Sequence, residues 1–161
     1  KIPRRGTFVY EATRSELEEI ASLRVVLERY AMERVATNWN DEYREQLAGI
    51  TEAMRTAALH KDYQQIFEQD VQFHSLLWQI AEHDLLLEVV SGLYARINRF
   101  LYEAVMAQAR ANLDAVVDGH CLFIDVFDRG DVATAKDLIT EHIISGKDRI
   151  LNREDGAQAN P

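Results

Sequence analysis

Cysteine is nearly absent from these 161 residues: Cys121 is the one thiol, so no internal disulfide can form and a reducing compartment, the cytoplasm, is the expected setting. Proline is almost as scarce. Pro3 and Pro161 stand at the two ends, and nothing between them forces a break in a helix. Long apolar runs are missing too: none approaches the roughly 18 residues of a spanning helix, and the opening residues hold no apolar signal core. A soluble chain with no membrane partner is expected. Positive charge is in deficit, with 18 Lys and Arg against 27 Asp and Glu and a formal net charge of -9. Most of the surface therefore repels phosphate backbones, which excludes general nucleic-acid binding by the bulk of the chain. The first residue is Lys1 rather than methionine, as expected of a piece of something longer.

What is present is helical periodicity. Hydrophobic residues make up 47% of the chain, enough for a proper core, and they recur at three and four positions. The expectation is an all-α antiparallel bundle of about six helices. Helix one starts near Thr13 or Ser15, with Ser15 and Glu18 at capping-box spacing, and runs to about Trp39 on an apolar face of Leu17, Ile20, Leu27, Ala31 and Val35. Helix two follows an Asn40 cap to about His60. Helix three starts after Asp62, and a break near His83 and Asp84 leads into a long helix four. That helix runs through Leu86, Val90, Leu93, Ile97, Leu101 and Val105 to about Ala109. Helices five (113–128) and six (131–152) join at Gly130, a C-terminal cap, and so short a connection makes them antiparallel neighbours. Residues 153–161 lack apolar periodicity and read as a disordered tail. Residues 1–12 are basic and then β-prone, foreign to the helical body at 13–152.

The functional signal lies in residues that break the apolar stripes. Asp70 and His74, four apart, sit on the inward face of helix three. His120 follows Val116 and Val117 on the stripe of helix five, and His142 follows Leu138 and Ile139 on that of helix six. His120 lies ten residues before Gly130 and His142 twelve after it, which puts both about 15 to 18 Å from the turn, at nearly the same level. A buried carboxylate is costly unless paired or metal-bound. Three imidazoles with one carboxylate suit a divalent transition ion, so Asp70, His74, His120 and His142 are the candidate metal ligands. His60 and His83 fall at helix ends and read as caps or solvated residues, and Cys121 as a small packing residue. Arg24 interrupts the stripe of helix one. A buried arginine needs an anion: either an internal partner such as Asp70 or Asp125, or the carboxylate of a ligand. Arg96, Asn98 and Arg99 on helix four are further candidate ligand contacts.

Three pieces carry a resemblance: Leu23, Arg24, Leu27 and Glu28; Asp70, Val71, Gln72, Phe73 and His74; and His120, Gly130, Asp131, Ala135 and His142. From about Ser15 to Leu151 the chain resembles GntR-family transcriptional regulators carrying the FadR-type C-terminal ligand-binding (FCD) domain, in the six-helix subgroup. Pro3 to Val9 is similar to the last wing strand of the winged-helix DNA-binding domain that precedes it, so Lys1 would mark a cut inside that domain. The resemblance implies a bundle around zinc, nickel or manganese, with those four residues as ligands. It also implies a small carboxylate effector beside the metal and a homodimer that releases operator DNA, bound only through the missing winged-helix domain. Two other readings remain open at this point. One is a helical metalloenzyme that activates water for hydrolysis at the His and Asp site; the other is a structural metal in a dimerisation module.

Overall fold

The computed structural model describes residues 13–158, with side chains through residue 152; the expected wing strand and linker at 1–12 lie outside the described residues. Within them all regular structure is helical: α1 (Arg14–Asn38), α2 (Asp41–Leu59), α3 (Tyr63–Ile80), α4 (Asp84–Ala111), α5 (Leu113–Asp128) and α6 (Val132–Gln158). The helices start where short polar side chains can accept from orphan amides. Asn40, Asp62, His83 and Asn112 cap α2, α3, α4 and α5. At α1 the capping box is Thr13 with Glu16, each side chain meeting the other's backbone amide, not Ser15 with Glu18. Ser15 already lies inside the helix, two residues too late to cap it. The last helix runs to Gln158, past the expected boundary at 152, because no proline or glycine pair stops it there.

Gly130 ends α5 in the left-handed region at φ +65°. Its amide donates to Phe127 O at 2.9 Å and that of Asp131 to Val126 O at 3.1 Å, the paired bonds of a Schellman turn. An L side chain at such a φ costs about 1–2 kcal/mol. Gly130→Ala is therefore expected to lower stability by about that amount in a urea titration, without altering the site some ten residues away.

α1 packs against α6, α3 and α4, while α2 lies on α3 and α5. The central core joins Met32, Phe73, Leu77, Trp78, Val90 and Phe123 with inward residues of α6. A second apolar group, with Leu17, Ile97, Phe100 and Ile150, closes one end between α1, α4 and α6. A third, with Met54, Ile66, Ala109, Val116 and Val117, fills the space between α2, α3, α4 and α5. Among the described residues no helix is long and apolar enough to cross a membrane.

Candidate metal and effector site

Polar side chains that share the phase of an apolar stripe are carried into the bundle with it, and at four positions they meet. Asp70 and His74 from α3, His120 from α5 and His142 from α6 each offer one ligand atom, all within 4.8 Å of one another. Asp70, His74 and His120 are buried and His142 is half-buried. The expected level match across the α5–α6 hairpin is present: the rings of His120 and His142 are 5.6 Å apart between centroids.

The hydrogen bonds decide which atoms are free. His120 Nδ1 lies 2.7 Å from Val116 O. A carbonyl can only accept, so the proton is on Nδ1 and the neutral ring keeps its lone pair on Nε2. That nitrogen lies 3.2 Å from Asp70 Oδ1 but is not aligned for a hydrogen bond and has no other partner. Nearby, His74 Nε2 and His142 Nε2 stand 3.0 Å apart, a distance at which at most one can carry a proton. His74 Nδ1 is also buried without a partner. Donor atoms from three rings and a carboxylate thus converge on one small volume. The donor set, three nitrogens and an oxygen, fits a divalent transition ion. On the outer side of Asp70, the Tyr94 hydroxyl donates to Oδ2 at 3.3 Å, holding the carboxylate in place as a supporting shell does around a metal.

The titration behaviour without metal follows. Burial works against the Asp70 carboxylate, but the contact with His120 and the neighbouring imidazoles outweigh it and hold its pKa below the usual range. Burial, then the charge of His142, pushes His74 well down. Burial, then His120, pushes His142 down to about 4. His120 moves the other way: burial opposes its charge, yet the adjoining Asp70 carboxylate more than offsets this, and the net shift is upward. A proton on His120 Nε2 thus takes the place beside Asp70 that a metal would fill. Tyr94 is pushed well above its ordinary value by burial and by Asp70, so it remains a donor.

Beside this cluster lies a cavity of about 40 Å³, bounded by Arg24, Asp70, His74, Tyr94, His142 and Arg149 among others. At about 10–15 Å³ per water centre it holds a few waters. Arg24 is buried, as its stripe position implies. Its internal partner is neither Asp70 nor Asp125 but Glu28, one turn on, with Nε donating to Oε1 at 2.7 Å. Glu28 also accepts from Trp78 Nε1 at 3.2 Å, and the Arg24 guanidinium lies 5.2 Å from the centre of the Tyr94 ring. The internal-anion alternative for Arg24 is thus met, by Glu28 rather than by the acids expected, and Arg24 also lines the cavity.

Arg96, Asn98 and Arg99 do not join it. All three are exposed on the outer face of α4; Arg96 reaches Glu16 at 2.9 Å and Arg99 approaches Glu103 at 3.5 Å. Ile97 and Phe100 are the inward residues of that turn, so their neighbours necessarily point away. His60 and His83 serve at helix ends, as expected: His83 Nδ1 accepts from Leu86 N at 3.2 Å, and His60 Nδ1 contacts Thr56 O at 2.8 Å. Cys121 is half-buried, 3.7 Å from Arg55 Nη2. Three further residues at the site have no role assigned from the sequence: Glu28, which entered only through the resemblance, Tyr94 and Arg149. Glu28 is four beyond Arg24, and Arg149 seven beyond His142 on the same stripe, spacings that would have pointed to both. Tyr94 is four beyond Val90 on the inward stripe of α4, where the reading stepped to Leu93.

Comparison with known proteins gives a consistent answer. The gluconate operon transcriptional repressor of Bacillus licheniformis is 27% identical over 127 residues, covering 77% of this chain and 52% of its own length. The probable D-xylose utilization operon transcriptional repressor of Paenarthrobacter nicotinovorans is 27% identical over 138 residues, 86% of this chain and 59% of that protein. The chain thus spans between half and three-fifths of the length of these relatives. The solved structure of E. coli McbR/YncC shares the fold, with a TM-score of 0.84 at 19% identity over 95% of this chain and 76% of that one. Residues 19–145 match the family model of the FCD domain, and the chain belongs to that family, the effector-binding module of GntR-type transcriptional regulators.

Proposed function

We propose that this chain senses a small carboxylate metabolite at a divalent transition metal held by Asp70, His74, His120 and His142, and that it forms the dimerising half of a DNA-binding repressor. The observation that carries the reading is the convergence of four ligand-type donor atoms on one volume, with a cavity bordered by Arg24 beside it. Zinc, nickel and manganese are the candidate ions; four protein ligands leave about two positions open on a six-coordinate ion, and carboxylate oxygens suit them. The chain's own part is to position. Val116 O sets the His120 tautomer, Tyr94 fixes Asp70, and Arg24, held by Glu28, offers its terminal nitrogens to an incoming carboxylate. Because Arg24 stands on α1 and the ligands on α3, α5 and α6, a bound acid ties α1 to the metal helices and biases the bundle toward one of two arrangements.

The test is calorimetric titration of short carboxylates into metal-loaded and metal-stripped protein. Affinity present in the first and lost in the second is expected; equal affinity in both would remove the metal from the effector site. DNA contact belongs, on this reading, to a winged-helix domain preceding the chain. With a net charge of -9, this chain alone is expected to give no sequence-specific shift of operator DNA in a gel-retardation assay.

A further inference from the structure

His142, Gly146 and Arg149 follow one another at four and three residues along α6 and so share a face. Side chains on a helix lean toward its N-terminus, which aims Arg149 back along this face toward His142. Gly146 leaves that path open: a Cβ there would stand 3.8 Å from Arg149 Nη2, so the guanidinium already lies over the glycine. Arg149 lines the same cavity as Arg24, and its Nε is buried with no hydrogen-bond partner. The other cation on this wall, Lys147, has a carboxylate of its own in Asp148 at 3.0 Å.

The charges around the cavity do not balance once a metal is in place. Arg24 is matched by Glu28. Asp70, a divalent ion and Arg149 then sum to two positive charges, since the three imidazoles are neutral as ligands. One carboxylate would leave a positive charge partly buried and uncompensated, which is costly; two would not. Between the two ends, α4 contributes Ile97, Leu101, Ala104 and Val105 to the wall, apolar side chains that suit methylenes, with Tyr94 and Gln108 as the polar side chains of the same helix. We propose that Arg149 seats a second anionic group, so that the ligand is a short dicarboxylate, with one end at the metal and Arg24, its middle against α4, and the other end at Arg149, where the small cavity adjoins a groove of about 230 Å³ that shares His142, Gln108 and Arg149. This rests on the carboxylate reading above and narrows it. The charge count also separates a dicarboxylate from a polyhydroxylated acid with a single carboxylate. Arg149 further borders a surface groove with Gln108, Leu122, Glu141, His142 and Ser145, so it stands between the cavity and the surface.

The test uses zinc-loaded protein and acids matched in length: succinate against butyrate and glutarate against valerate, with gluconate as the polyhydroxylated comparison, titrated by calorimetry. The dicarboxylate of each pair is expected to bind roughly tenfold to a hundredfold more tightly, the range for a hydrogen-bonded charge, and gluconate more weakly than either dicarboxylate. Arg149→Gln should bring the ratio within each pair close to one, whereas Arg149→Lys, which keeps the charge, should retain part of it. A wild-type ratio near one, or a ratio unchanged in Arg149→Gln, overturns the proposal while leaving a carboxylate site intact. Absence of binding by all the acids to wild-type protein would instead overturn the carboxylate reading itself, and this inference with it.

Discussion

Stripping the metal with a chelator is expected to lower the melting temperature by about 8–16 °C. An ion present at a thousand times its Kd stabilises the folded state by about 4 kcal/mol, and each kcal/mol shifts the midpoint by about 2–4 °C in a domain of this size. The same loss should follow His120→Ala or His142→Ala, with elemental analysis showing less than the one equivalent per chain expected of the parent. Unchanged metal content in both variants would exclude the four-residue site. The pH dependence has a definite sign. His120 is the ligand whose pKa is raised, by Asp70, so its proton competes with the metal first: affinity falls about tenfold per pH unit once the pH is below that raised value. Below about 4, where His142 also takes up a proton, the fall steepens. Metal-free protein has its own dependence. His74 and His142 titrate lower in the folded chain than the ordinary 6.5, so the unfolded chain binds more protons between that value and the folded one. The stability they contribute is present above 6.5 and is lost as pH falls toward about 4. His120 contributes oppositely, through a term present below 6.5 and lost as pH rises through its raised value. The stabilisation by added metal should therefore grow as the pH rises through the raised value of His120, above which the proton no longer stands in beside Asp70.

The helices were legible because each carries its own punctuation. Asn40, Asp62 and Gly130 act within a few residues of themselves, and a local rule suffices to place them. The four candidate ligands were legible for a related reason: an imidazole or carboxylate in phase with leucines and valines must go where they go, and the hairpin geometry of α5 and α6 sets the level of two of them. Partners were harder to read. That Arg24 is buried follows from its phase, but whether it meets Asp70, Asp125 or Glu28 depends on rotamers; Glu28 prevails because an i, i+4 carboxylate needs no tertiary approach to reach it. Errors on α4 came from its length. Over 28 residues a stripe at 3.6 residues per turn drifts against any fixed spacing of three and four. Tyr94 then stands inward of Leu93, and Arg96, Asn98 and Arg99 turn outward.

Glu28→Gln is expected to destabilise the chain by about 3–5 kcal/mol, the cost of removing one member of a buried ion pair. Glu28 is fully buried and Arg24 is 4% exposed, so the guanidinium left behind is cut off from bulk solvent, and the hydrogen bond from Trp78 loses its charged acceptor. Arg24→Met should cost a similar amount, this time by stranding the carboxylate. Replacing both together, Arg24→Met with Glu28→Leu, is expected to recover most of the loss, because a buried ion pair exchanged for apolar residues of similar volume is often neutral or better. That pattern in urea titrations would identify the pair as costly to break yet of little net value to the fold. The double variant then isolates function from stability: with folding restored and all four metal ligands intact, it should keep its metal and lose carboxylate affinity by roughly tenfold to a hundredfold, the range for a hydrogen bond to a charged group. If the double variant bound short carboxylates as tightly as the parent, Arg24 would be a structural residue only, and the carboxylate would have to be held by the metal and by Arg149 on the far wall.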